Sequence, residues 1–100
     1  MIKHIVMWRL KETGNGQSKS ENLKQMKAML EALPAKISEI VEFEVGIDFD
    51  RSERAFDMVL VSAFASKETL KAYQIHPEHQ KVVAFLPEIV AEGKVVDYEV

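Results

Sequence analysis

Ala55-Phe56-Asp57-Met58-Val59-Leu60-Val61-Ser62-Ala63-Phe64-Ala65 is the stretch that decides the fold. Phe56, Met58, Leu60, Ser62 and Phe64 alternate with Val59, Val61 and Ala63. Alternation at period two predicts a strand over residues 55–65. Apolar residues on both of its faces predict a place at the centre of a sheet, covered from both sides. Just upstream, residues 39–48 read as a strand with Val41, Phe43, Val45 and Ile47 on one face and Glu42, Glu44, Gly46 and Asp48 on the other. The polar residues 48–54 join the two strands as a hairpin longer than a two-residue turn. At the start, Ile2, His4, Val6, Trp8 and Leu10 alternate with Lys3, Ile5, Met7, Arg9 and Lys11. That is a strand over residues 2–11, again apolar on both faces in its middle. Residues 94–100 give a last strand, with Val96, Tyr98 and Val100 against Val95, Asp97 and Glu99.

Helical signals fill the gaps. Thr13-Gly14-Asn15-Gly16 is a loop by its turn residues. Ser18-Lys19-Ser20-Glu21 matches a capping box, and Leu23, Met26, Leu30 and Leu33 then form one apolar stripe. Pro34 ends that helix. Ser66 is the N-cap of a short helix with Leu70 and Tyr73 facing inward. A further helix starts at Pro77 and is bent or ended at Pro87. The order strand, helix, strand, strand, helix, strand is that of a ferredoxin-like split unit. The predicted fold is α+β, an antiparallel four-stranded sheet with helices on one face. Its open face would carry Ile5, Met7, Val59, Val61 and Val95, more apolar surface than a monomer leaves wet. A homodimer joined sheet face to sheet face is the expectation.

The chemistry gathers at Tyr73-Gln74-Ile75-His76-Pro77-Glu78-His79. Val82, Val83 and Leu86 follow His79 at helical spacing, so His79 shares an apolar face. A histidine there, with its ordinary pKa of roughly 6.5, suits acid–base work; it equally suits a hydrogen bond that pins the turn to the sheet. Tyr73 precedes it across the turn, and His4 approaches from the first strand or sits at a rim. His76, just before a proline, suits a solvent-facing or capping role. A ligand between helices and sheet would have Val6, Trp8, Phe64, Val83 and Leu86 as apolar walls, beside His76.

Composition narrows the classes. One hundred residues make a single domain over residues 1–100, and 47% of them are hydrophobic. A net charge of −3 with scattered lysines argues against nucleic acid. The absence of cysteine excludes disulfides and thiolate metal sites. His-x-x-His across a proline is not metal-site spacing, so no metal and no cofactor are expected. The start lacks the pattern of a secretion signal, and no stretch approaches membrane-spanning length, so the cytoplasm is the expected location.

Met1-Ile2-Lys3-His4-Ile5-Val6 at the start, Tyr73-x-x-His76-Pro77-x-His79 before an apolar helix, and Val96-Asp97-Tyr98 at the end together resemble the stress-responsive A/B barrel family, Dabb. The resemblance spans nearly the whole chain. It implies a dimeric α+β barrel of two ferredoxin-like units. Most members have no assigned reaction, while some plant members, of the olivetolic acid cyclase type, cyclise linear polyketides by aldol chemistry. The tyrosine and two histidines lining their pocket match Tyr73, His79 and His4. Positions such as Met58 are generic apolar residues, and no polyketide substrate is implied. Two functions stay open: a protein that binds a small apolar or carbonyl-containing molecule, and an acid–base enzyme using His79, Tyr73 and His4.

Overall fold

A computed structural model describes residues Met1–Val100 throughout. In chain order the elements are β1 (Ile2–Leu10), a small hairpin of β2 (Thr13–Gly14) and β3 (Gln17–Ser18), α1 (Lys19–Glu31), β4 (Ile40–Ile47), β5 (Met58–Phe64), α2 (Lys67–Ile75), α3 (Pro77–Phe85) and β6 (Val90–Glu99). The main sheet is antiparallel in the order β4-β5-β1-β6, so the two strands that are apolar on both faces take its centre. This is the ferredoxin-like arrangement, with the helices on one side.

The registers lay the sheet out in rows. On the helix side one row is Ile40, Phe64, Ile2 and Glu99, and the next is Phe43, Ser62, His4 and Asp97. Below them come Val45, Leu60, Val6 and Val95, then Ile47, Met58, Trp8 and Gly93. The core lies between the middle of these rows and Leu23, Met26, Leu30, Leu70, Tyr73 and Val82 of the helices. Ser18 caps α1 through a reciprocal box with Glu21, and the Ser18 backbone N–H holds the Glu21 carboxyl below its ordinary range.

On the open side the rows are Glu42, Ala63, Lys3, Tyr98; Glu44, Val61, Ile5, Val96; and Gly46, Val59, Met7, Lys94. Lys3 and Glu42 both flank Ala63 and join above it at 3.2 Å, which is why this alanine is fully buried on an uncovered face.

Several expectations need correction. Val95 does not belong to the open face. Alternation tells which residues of a strand share a side, not which side is up, and the register sets Val95 beside Val6 under the helices. No helix reaches it there, and it remains 62% exposed. Val96 and Tyr98 take the open face instead. Val41 leaves the apolar face of β4 because the register shifts between Ile40 and Glu42, and Ile40 replaces it opposite Phe64. The last strand starts at Val90, not residue 94. Phe56 lies outside β5, with the Arg9 guanidinium 4.6 Å above its ring. Residues 13–18 form a hairpin, turned by Asn15 and Gly16 at φ 53° and 72°.

That hairpin packs its Gly14 against the end of the chain segment after α3. A Cβ on Gly14 would stand 2.3 Å from the Glu88 carbonyl oxygen. Gly14→Ala should therefore push the hairpin off, costing about 1–3 kcal/mol. Calorimetry should read this as a melting temperature lower by roughly 4–8 °C per kcal/mol. An unchanged melting temperature would mean that the hairpin is not docked.

Candidate functional site

Ser66 starts α2 with its hydroxyl bonded to the Thr69 backbone N–H at 3.2 Å. The helix then presents Leu70 and Tyr73 to the sheet at a spacing of three. Tyr73 lands on the row Phe43, Ser62, His4. Ser62 is fully buried in that row, and its hydroxyl donates to the His4 carbonyl at 2.8 Å, so it leaves no unpaired polar atom there. The Tyr73 ring meets Phe64 at 4.9 Å, Phe43 at 6.1 Å and His4 at 6.2 Å, centroid to centroid.

α2 ends at His76, which has extended backbone angles set by the following proline. His76 also caps α3: its Nδ1 accepts the Glu78 backbone N–H at 3.1 Å. That spends the His76 Nδ1 on the helix start. Pro77 at the first helical position then carries His79 round to the Tyr73 ring, 4.4 Å away and tilted 49°. Ring stacking, not a bond through the hydroxyl, links Tyr73 to His79.

Each of the two remaining histidines has its Nδ1 fixed. His79 Nδ1–H donates to the Gln74 carbonyl at 2.9 Å. Burial pushes the His79 pKa below its ordinary value; the Gln74 bond pulls it up, and His4 and His76 push it further down. At neutral pH His79 is therefore uncharged, with Nε2 as an unprotonated acceptor. His4 Nδ1–H donates to the Asp97 carboxylate. His4 is buried, whereas the Asp97 side chain is 41% exposed and forms the outward end of the group. Burial alone pushes the Tyr73 hydroxyl well above its ordinary range, so it stays protonated and can only donate or accept as a phenol.

Asp97 opens into a cavity of about 360 Å³, whose walls include Ile2, Leu70, Lys67 and Glu99. Neither Tyr73 nor His79 lines it. The expected walls are dispersed. Phe64 is used up in packing on Tyr73, and Val6 lies one row below His4. Trp8 sits two rows below His4, beside Gly93. Val83 is exposed and Leu86 half-buried, because α3 turns Val82, not Val83, into the core. No group of three or more acidic or histidine side chains converges with metal-binding geometry.

Ser62 and Phe43 stood in the sequence only as strand residues, and Asp97 only within the closing Val96-Asp97-Tyr98 motif, none of them as part of a site. Asp97 joins His4 only once the β1–β6 register is known, and the wrong face for Val95 had carried Asp97 with it.

The fold and site define a ferredoxin-like α+β protein with a buried tyrosine between two histidines. The profile of the stress-responsive A/B barrel domain, Dabb, matches residues 2–100, and the chain belongs to this family. A dimeric protein of unknown function and ferredoxin-like fold from Bacteroides fragilis is 35% identical, with a TM-score of 0.88 over 99% of this chain and 95% of that one. A dimeric ferredoxin-like protein from Thermobifida fusca is 25% identical, with a TM-score of 0.85 over 99% and 90%. A hydroxynitrile lyase from Passiflora edulis shares the fold at 23% identity, with a TM-score of 0.81 over 99% and 92%. Among curated proteins, none matches.

The His79 shift makes a testable statement about stability. Its folded pKa lies below its ordinary value, so as pH falls the unfolded chain takes up this proton first. Wild type should thus lose stability as pH drops through about 6.5, and His79→Gln should lose less over the same range. Melting curves at several pH values between about 7 and 5 check this. Equal slopes for the two proteins would show that burial does not hold His79 neutral.

Proposed function

We propose that this chain forms a homodimer that binds a small, largely apolar molecule carrying a carbonyl or hydroxyl group in the cavity at Asp97, behind which His4, Tyr73 and His79 follow as a connected run of side chains. The observation that carries this reading is the cavity at Asp97. Ile2 and Leu70 offer it an apolar floor, and the carboxylate that orients His4 stands in its wall. A concave apolar site with a few converging polar groups is the usual form of a small-molecule site. No helix is long and apolar enough to cross a membrane. A chain without cysteine needs no oxidising compartment, and we place its work in the cytoplasm.

Screening aromatic aldehydes, β-diketones and hydroxy acids by thermal shift tests the reading. A ligand at a hundred times its Kd stabilises by about 2.7 kcal/mol, or roughly 10 °C or more for a domain of this size. Asp97→Asn should shrink the shift, and Glu44→Gln, on the other side of the sheet, should leave it. A shift of the same size in Asp97→Asn would remove the ligand from this cavity.

Acid–base catalysis is the second reading, favoured by the neutral His79 with its free Nε2. That nitrogen would take a proton from carbon beside a carbonyl, and the Tyr73 hydroxyl would donate to the developing oxyanion. The lyase from Passiflora edulis lends this reading its fold and no more. Binding stands first because Tyr73 packs against both His4 and His79, and a substrate entering at Asp97 would have to displace it. On the enzymatic reading, His79→Ala abolishes turnover of a compound found in the screen and Tyr73→Phe reduces it.

The homodimer reading rests on the open sheet face. Ile5, Val59 and Val61 are half-buried there, and Met7, Val96 and Tyr98 are exposed. The relatives from Bacteroides fragilis and Thermobifida fusca are described as dimeric. An interface over this face would bury on the order of 1,600 Å². Val61→Lys places an unpaired charge in that layer and should yield monomer or unfolded chain in sedimentation. A wild-type protein that sediments as a monomer at micromolar concentration would end the reading.

A further inference from the structure

Two features at the opposite end of the sheet are left unused by the site. Phe49, in the loop between β4 and β5, is 95% exposed. Its ring forms one wall of a cavity of about 560 Å³ whose other walls include Met7, Gly46, Phe56 and Val59, with Asp48, Asp50 and Arg54 at its edge. Gly46 keeps part of this space open, since a Cβ there would press on Val59 Cγ1 at 3.3 Å. Met7, Gly46 and Val59 are also one row of the open sheet face. The cavity is therefore continuous with the surface that the homodimer reading covers.

The loop that carries Phe49 is internally built. Asp48 accepts the Arg51 backbone N–H at 2.8 Å, and the Ser52 hydroxyl donates to Asp50 at 2.6 Å. The Asp48 backbone N–H is tied to the Asp57 carbonyl at 2.9 Å, and the Ala55 N–H to the Ser52 carbonyl at 3.1 Å. The backbone is thus held while its one large apolar side chain points into water. Burial of such a ring is the driving force that the isolated protomer leaves unused.

We propose that Phe49 of each protomer fills this cavity in a second copy, so that the two loops clasp each other across the dimer axis. The inference rests on the homodimer reading and adds to it the residues that lock the pair. Knob and hole lie at the same end of one protomer. A two-fold axis passing between them satisfies both contacts at once, because in an isologous interface the contact of one residue with another is always returned. Charge agrees with the exchange. No ion pair within the protomer engages Arg51 or Arg54. The acidic edge at Asp48 and Asp50 in one copy would face Arg54 of the other. Without the second copy the cavity is an open dent walled on one side by the protomer's own Phe49; with it, the ring from the partner packs against that wall.

Sedimentation equilibrium on the full chain and on Phe49→Ala tests the clasp, alongside the fluorescence of Phe49→Trp corrected for Trp8. The expected results are a dimer dissociation constant at least tenfold weaker for Phe49→Ala, as for an aromatic anchor, and a blue-shifted Phe49→Trp emission that moves red on dilution. A wild-type dimer with Phe49→Ala within twofold of it would overturn the clasp and leave the homodimer standing. A wild-type monomer would overturn the homodimer itself. Where both proteins dimerise too tightly to separate, the emission decides: a water-exposed signal from the Phe49→Trp dimer overturns the proposal.

Discussion

Tyr73 is the ring on which the sheet, α2 and α3 meet. It is buried against Phe64, Phe43 and His4, and these contacts seat α2 on the sheet. α2 ends two residues later at Ile75, and Pro77 allows only one way onward, so the ring also fixes where α3 begins. His79 arrives against one side of the ring, while His4 and Phe64 stand against the others. Because interiors are close-packed, a change in the ring is felt by every one of these neighbours. Core and candidate site are here the same atoms.

The two histidines that flank this ring are held by unlike partners. His4 gives its Nδ1–H to a carboxylate that reaches solvent, and His79 gives its own to a neutral carbonyl in the helix before it. Such partners fix which ring nitrogen remains free, as outer-sphere hydrogen bonds do in metal and catalytic sites. A carbonyl compensates less than a carboxylate for the loss of water around a cation. This accounts for the direction in which burial moves His79.

Much of this was legible in the chain. The two-sided apolar pattern of residues 58–64 put that strand in the middle, and Ser18, Ser66 and Pro77 marked the three helix starts. The Tyr73, Pro77 and His79 spacing brought those rings to one face. What could not be read was anything that depends on register. A period-two pattern is unchanged when a strand turns over, so Val95 and Asp97 went to the wrong side together. The extra residue at Val41 was equally silent, since a bulge leaves no mark in composition. The cavity at Asp97 was missed for the same reason: its walls come from β1, α2 and β6, and only the pairing of β1 with β6 brings them into contact.

That pairing has a consequence for how the protein is made. β1 lies in the sheet centre, yet both of its neighbours are encoded far downstream, at residues 58–64 and 90–99. As the chain leaves the ribosome, its first strand emerges with apolar residues on both faces and no partner on either edge. Closing the long loop to β5 costs entropy before it brings any contact, and the loop to β6 is longer still. The strand that waits longest for a partner is the one that carries His4. His4 meets Asp97 only when β6 docks beside β1, so a chain in which that pair has formed has completed its sheet.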